Sequence, residues 1–213
     1  MTQIELPSLN LASILHGDGG DVSGSGLVAQ LELITEHPDG LEPSITAIVL
    51  AEPAQWRASV NNVGPGEFYL HGWIKGIALM ECSRCLTPTR VPVEARLESL
   101  LRYSAKFKVA RRQTLDDGED CIMFSDPSLQ LSPILAEAFS FEMPLTVVHS
   151  PECKGLCSSC GANLNNVPAG TCAVLAADTP ALKKQLSECP NIPKDRVRDS
   201  SNPFAKLKGL LED

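Results

Sequence analysis

Between residues 67 and 80, "EFYLHGWIKGIALM", apolar and polar side chains alternate with a period of two. Phe68, Leu70, Ile74, Ala78 and Met80 fall on one face, with Gly72 and Gly76 interposed. Glu67, Tyr69, His71, Trp73 and Lys75 fall on the other, which turns apolar at Ile77 and Leu79. Residues 89 to 103 alternate in the same way: Val91, Val93, Ala95, Leu97 and Leu101 share one face, and Arg90, Glu94, Arg96, Glu98 and Arg102 the other. A period of two sustained this long predicts half-buried strands. The short stretch between them carries Cys82 and Cys85, so the pair is predicted at the tip of a β-hairpin.

Other elements are shorter. Strands are expected over 28–35, 45–51 and 55–62, separated by Pro, Gly and Asp turns. Residues 16–26, "HGDGGDVSGSG", read as a loop. Residues 104–127 pass from basic "KFKVARR" to acidic "DDGED" and read as an extended or mobile connection. "SPILAEAFSF", 132–141, predicts a short helix with Ser132 as N-cap and Pro133 at N1, ended by Pro144. In the tail, "NPFAKLKGLLED", Asn202 and Pro203 start a helix that puts Phe204, Leu207, Leu210 and Leu211 on one face. The expectation is an α+β fold: an antiparallel β-sheet core, a few short helices and a C-terminal cysteine-rich segment of zinc-knuckle type. The expected divisions are a flexible segment over 1–27, a sheet domain over 28–148, a cysteine cluster over 149–175 and a tail over 176–213.

Composition narrows the chemistry. The chain has 213 residues, 43% hydrophobic but only 5% aromatic, so its core is aliphatic. A net charge of -8 argues against a simple polybasic coat for nucleic acid or membrane. No apolar run has the length of a bilayer span, and the first residues lack the basic and apolar regions of a signal peptide. The expected location is therefore the cytoplasm, where thiols stay reduced and C-x-x-C pairs serve metals or redox chemistry more often than disulfides.

Eight cysteines occur, at 82, 85, 121, 153, 157, 160, 172 and 189. Cys157, Cys160 and Gly161 have the shape of a zinc knuckle, in which two thiolates grip one ion and glycine permits the turn. Two ligand sets are open. One is local: Cys153, Cys157, Cys160 and Cys172. The other joins Cys82 and Cys85 to Cys157 and Cys160. His149, four residues before Cys153, could replace one cysteine, although a surface-loop histidine is the plainer reading. A single structural zinc ion is the expected cofactor. Cys121 and Cys189 read as ordinary thiols. A thiol-redox role for Cys82 and Cys85 is the weaker alternative, because redox pairs use a helix N-terminus to lower a thiolate pKa and this pair lies in a hairpin turn. No nucleophilic triad, phosphate-binding glycine loop or HExxH helix is present, so no enzyme activity is expected.

The charge is segregated. Residues 84–112 hold eight basic residues (Arg84, Arg90, Arg96, Arg102, Lys106, Lys108, Arg111 and Arg112) against Glu94 and Glu98. A basic face on an acidic protein suits a selective RNA or ribosomal contact, since phosphate contacts dominate such affinity. The competing reading is that the two glutamates neutralise it into a solvated face.

Taken in order, "ECSRCLTPTRVPVEARLESL", an acidic stretch, "LSPILAEAFSFEMPL", "CKGLCSSCGANLN" and "NPFAKLKGLL" resemble the YceD family, the large ribosomal RNA subunit accumulation proteins. The likeness covers roughly residues 65–165 and the last dozen. It implies a non-enzymatic factor in large-subunit biogenesis that supports 23S rRNA processing and accumulation. The implied partner is precursor 23S rRNA or an early assembly protein; the alternative is a zinc-binding protein-interaction module without RNA contact. The family's motifs fall on Cys82, Arg84, Cys85 and Leu86, and on Cys153, Gly155, Leu156, Cys157, Cys160, Gly161, Asn163 and Leu164. The family's distal motif commonly closes with C-x-C, whereas here Val174 follows Cys172 at that spacing. This departure weighs toward the set that joins the two cysteine pairs.

Overall fold

The structure, a computed structural model, describes residues 6–15, 20–35, 42–107, 110–115, 118–157 and 161–166. The chain divides into two compact units, Met1–Cys82 with Pro88–His149, and Ser83–Thr87 with Ser150–Asp213. Among the described residues the elements run β1 Ser8–Asn10, α1 Ala12–Leu15, β2 Val22–Val28, β3 Leu31–Thr35, β4 Ser44–Ile48, β5 Ala54–Gly64, β6 Glu67–Glu81, β7 Pro88–Tyr103, β8 Arg111–Thr114, β9 Asp120–Phe124, β10 Ser128–Gln130 and α2 Ser132–Phe141.

In the first unit six strands form one sheet in the order β2-β5-β6-β7-β9-β8. Its spine is the antiparallel pair β6–β7, in register from Glu67↔Arg102 to Glu81↔Pro88. The alternation read from the sequence places Phe68, Leu70, Ile74 and Ala78 of β6 and Val93, Ala95, Leu97 and Leu101 of β7 in the core. Sizes complement across the pair: Gly72 opposes Leu97, and Ala95 opposes Ile74. The helix α2 covers this face with Ile134, Leu135, Ala136 and Phe139. Two small two-stranded sheets, β1–β10 and β3–β4, flank it.

Several expectations change. Residues 1–27 are not simply a flexible segment: β1 pairs with β10, and Leu9, Leu11 and Ile14 are buried. Residues 22–26, expected as loop, are strand, because the glycines there answer a packing demand. A Cβ on Gly24 would lie 2.7 Å from the Leu9 side chain and 3.3 Å from the Trp56 ring. The expected strand over 28–35 is split, with Val28 ending β2 and β3 starting at Leu31. The connection 104–127 holds β8 and β9, and β9 runs parallel to β7, so the sheet is mixed rather than purely antiparallel. Cys121, Ile122, Met123 and Phe124 are all buried, which removes the alternation that would have announced a strand. The helix N-cap is Leu131, one residue earlier than expected, and Ser132 Oγ is buried without a hydrogen-bond partner.

The second unit is described at 83–87, 150–157 and 161–166. Its distal loop closes through Cys157 N–H donating to the Ala162 carbonyl and Gly161 N–H donating to the Cys157 carbonyl, both 2.8 Å. Leu164 N–H donates to the Gly155 carbonyl at 2.9 Å. The amphipathic tail at 202–211 lies outside the described residues.

Gly72 tests the spine most sharply. A Cβ there would lie 2.1 Å from the Arg57 carbonyl oxygen and 2.8 Å from the Ala58 Cα, both backbone atoms that cannot rotate away. Gly72→Ala is expected to cost about 3 kcal/mol through forced separation of β5 from β6, read as a lowered midpoint in chemical denaturation. An unchanged midpoint would mean the two strands are not so closely paired.

Candidate metal centre

The long pair β6–β7 ends in a turn that projects Cys82 and Cys85. The turn is tight enough to hold Leu86 at φ +60, a conformation that L-residues seldom adopt. Both thiols are buried, at 0% and 3% exposure. The segment after α2 brings a third and a fourth donor. Cys82, Cys85, His149 and Cys153 each offer one ligand atom, and these atoms all lie within 4.8 Å of one another. His149 Nδ1 is 3.5 Å from Cys82 Sγ. Ligands of one tetrahedral zinc with bond lengths near 2.3 Å would be about 3.8 Å apart, so the group is of the right size for a single ion. None of the described cysteines is in a disulfide.

Hydrogen bonds hold the donors in place. Asn163 Nδ2 donates to the Cys85 carbonyl at 3.3 Å and to Thr87 Oγ1 at 3.2 Å. Thr87 Oγ1 in turn lies 3.1 Å from Cys85 Sγ. Asn165 Nδ2 donates to Cys153 Sγ at 3.6 Å, and its Oδ1 accepts from the Lys154 N–H at 2.9 Å. Arg84 reaches the Cys153 carbonyl at 3.4 Å. Gly155 sits at φ +77, and a Cβ there would lie 3.3 Å from the Arg84 carbonyl oxygen, so a side chain would crowd the turn. Donors of this kind orient ligands and tune the charge on the sulfurs.

The two ligand sets expected from the sequence are thus mixed. Cys82 and Cys85 come from one, Cys153 from the other, and His149 completes the group. The cysteine group is therefore not confined to a C-terminal segment. Cys157 is buried but is not one of the four, while Cys160 and Cys172 lie outside the described residues. His149 was the residue undervalued in the sequence; its one signal was the H-x3-C spacing to Cys153.

The basic residues of the hairpin have varied fates. Arg90 pairs with Glu52 at 3.4 Å, Arg102 with Glu67 at 2.5 Å, and Arg112 with Glu137 at 2.8 Å. Glu94 pairs with Lys75 rather than with an arginine, at 2.7 Å. Arg96 and Lys106 are exposed, with no ion pair among the described residues. Lys108 and the Arg111 side chain are not described.

A family model described as "Large ribosomal RNA subunit accumulation protein YceD" matches residues 70–211, which span the hairpin, α2 and the four donors. The chain belongs to the YceD family. Among curated relatives, an uncharacterized protein of Mycobacterium tuberculosis is 31% identical over 97 residues, 46% of this chain and 45% of its own. The Zea mays "Large ribosomal RNA subunit accumulation protein YCED homolog 1, chloroplastic" is 27% identical over 130 residues, 50% of this chain and 44% of its own. The matches therefore span less than half the length of these relatives. No solved structure matches this YceD chain. Among the described residues no helix is long and apolar enough to cross a membrane.

The geometry separates the ligand sets by experiment. Cys82→Ser and Cys153→Ser are expected to lower bound metal at least about tenfold, and Cys157→Ser to leave it unchanged, by elemental analysis of protein purified without chelator. Metal lost equally from Cys157→Ser would displace the centre toward the distal loop.

Proposed function

We propose that this YceD protein is a non-enzymatic factor that supports accumulation of the large ribosomal subunit RNA. In this reading it supports 23S rRNA processing by binding precursor rRNA or an early assembly protein in the cytoplasm. The observation that carries the reading is the family match over 70–211. It takes in the part of the chain where a basic strand face and a cysteine-rich turn occur together. The basic residues Arg84, Arg90, Arg96, Arg102, Lys106, Lys108, Arg111 and Arg112 are the proposed contact, with phosphates displacing their counterions.

The proposed cofactor is one structural zinc ion. Three thiolates and an imidazole suit zinc better than hard cations, which take oxygen ligands. With all four positions filled by protein, no site is left for a substrate or water, which accords with a structural role. The ion would hold the hairpin turn to the 149–153 segment and fix where the neighbouring basic residues stand.

One observation favours a second reading, a zinc-dependent protein-interaction module without RNA contact. Arg90, Arg102 and Arg112 each meet a carboxylate, which drains positive potential from the face. Exposed pairs of this kind contribute little stability and open readily to a competing phosphate, so they weaken the RNA reading without removing it.

Depletion of the protein is expected to raise precursor large-subunit rRNA and lower the mature form, read by blotting total RNA. Re-expression of the unchanged protein restores the balance, whereas the Cys82→Ser/Cys85→Ser variant does not. Mature rRNA at its ordinary level throughout depletion would overturn the reading. RNA recovered by crosslinking from cells supports direct contact, and crosslinks to protein alone support the second reading.

A further inference from the structure

The face of the main sheet opposite the core carries a row of aromatic side chains. Along β6, Tyr69, His71 and Trp73 alternate with the buried Phe68, Leu70 and Ile74, so all three point to the outer face. Tyr69 is 38% exposed, His71 is exposed and Trp73 is half-buried. The Tyr69 and His71 rings lie 6.2 Å apart with planes 18° from parallel, a stacked arrangement. Lys75 Nζ stands 5.2 Å from the centre of the Trp73 ring. Only 5% of the chain is Phe, Trp or Tyr, yet Tyr69 and Trp73 stand on one strand with His71 at the outward position between them.

The register supplies the charge. Arg57 of β5 and Arg96 of β7 are the cross-strand neighbours of Trp73, one on each side. Both arginines are exposed, and neither has an ion pair among the described residues. On the same outward face, Arg102 is paired with Glu67 beyond Tyr69 and Lys75 with Glu94 beyond Trp73, so these two cations are already engaged at the ends of the row. Glu98, opposite His71, makes that flank of the row less favourable for phosphate.

We propose that this face binds a single-stranded RNA segment, with bases stacked on Tyr69, His71 and Trp73 and phosphates held by Arg57 and Arg96. Successive outward positions on a strand are about 6.7 Å apart, which suits bases splayed out of a helical stack. Bases are available to aromatic rings only where the RNA is unpaired, whereas a duplex offers chiefly its backbone and grooves. Stacking tolerates any base, so the expected recognition is of single-strandedness more than of sequence. The proposal rests on the RNA reading above and moves the centre of contact from the hairpin's basic residues to the middle of the sheet.

The test uses the full chain and a short labelled RNA of mixed sequence, offered single-stranded and as a duplex, at two salt concentrations. The single strand is expected to bind more tightly than the duplex and to quench Trp73 fluorescence. Each of Tyr69→Leu and Trp73→Leu is expected to weaken binding by about 5- to 100-fold with the circular dichroism spectrum unchanged. Should either change unfold the protein, the exposed pair Arg57→Gln/Arg96→Gln decides: it is expected to weaken binding and flatten the salt dependence. Single-strand binding that survives these changes overturns the face while leaving direct RNA contact intact. A preference for duplex likewise overturns stacking. An unchanged protein that binds neither RNA form overturns both this proposal and direct RNA contact, leaving the protein-interaction reading.

Discussion

Everything positioned in this protein depends on one pairing. Strands β6 and β7 run antiparallel in unbroken register from Glu67↔Arg102 to Glu81↔Pro88. That ladder fixes which side chains face the core and which face outward, because a slip of one residue would exchange the two sets. It also carries the chain beyond the last residue that β5 pairs with β6, Gln55↔Lys75, and past a short bridge of Val49–Ala51 to Ile77–Leu79, so the turn at Cys82 and Cys85 is delivered at the far end of the β6–β7 pair. The same ladder aligns Trp73 with Arg96 on the outer face and Ile74 with Ala95 on the inner one.

At the end of that extension the physical problem changes. A turn has few apolar contacts to hold it, yet this one buries Cys82 and Cys85 almost completely. Buried thiols gathered with an imidazole gain little from one another, but three thiolates and a neutral imidazole gain strongly from a shared cation. The surrounding amides fit that state. Asn165 directs a donor to the Cys153 sulfur, which would stabilise a thiolate ligand, and Asn163 anchors the Cys85 carbonyl.

The strands that alternate were legible in the sequence, and those that do not were hidden. Phe68, Leu70, Val93 and Leu97 announce a half-buried sheet because one face is core and the other is solvent. Strand β9 gave no such signal, because Cys121 through Phe124 are buried on both sides. The glycines of β2 read as loop, although they mark where Leu9 and the Trp56 ring press against the backbone. At the site, two cysteine pairs were visible as motifs, but spacing along the chain could not choose among combinations set by folding. The order and content of the motifs did carry the family, which the match over 70–211 shows.

The same hairpin that organises the sheet supplies two of the four candidate metal donors, Cys82 and Cys85, and carries the proposed RNA contact on its outer face. X-ray absorption at the zinc edge of the purified full chain tests this most directly, because it counts ligands by element. Three sulfurs at about 2.3 Å and one nitrogen at about 2.0 Å are predicted, matching Cys82, Cys85, Cys153 and His149. Four sulfurs, or the absence of zinc from protein prepared without chelator, would contradict the account.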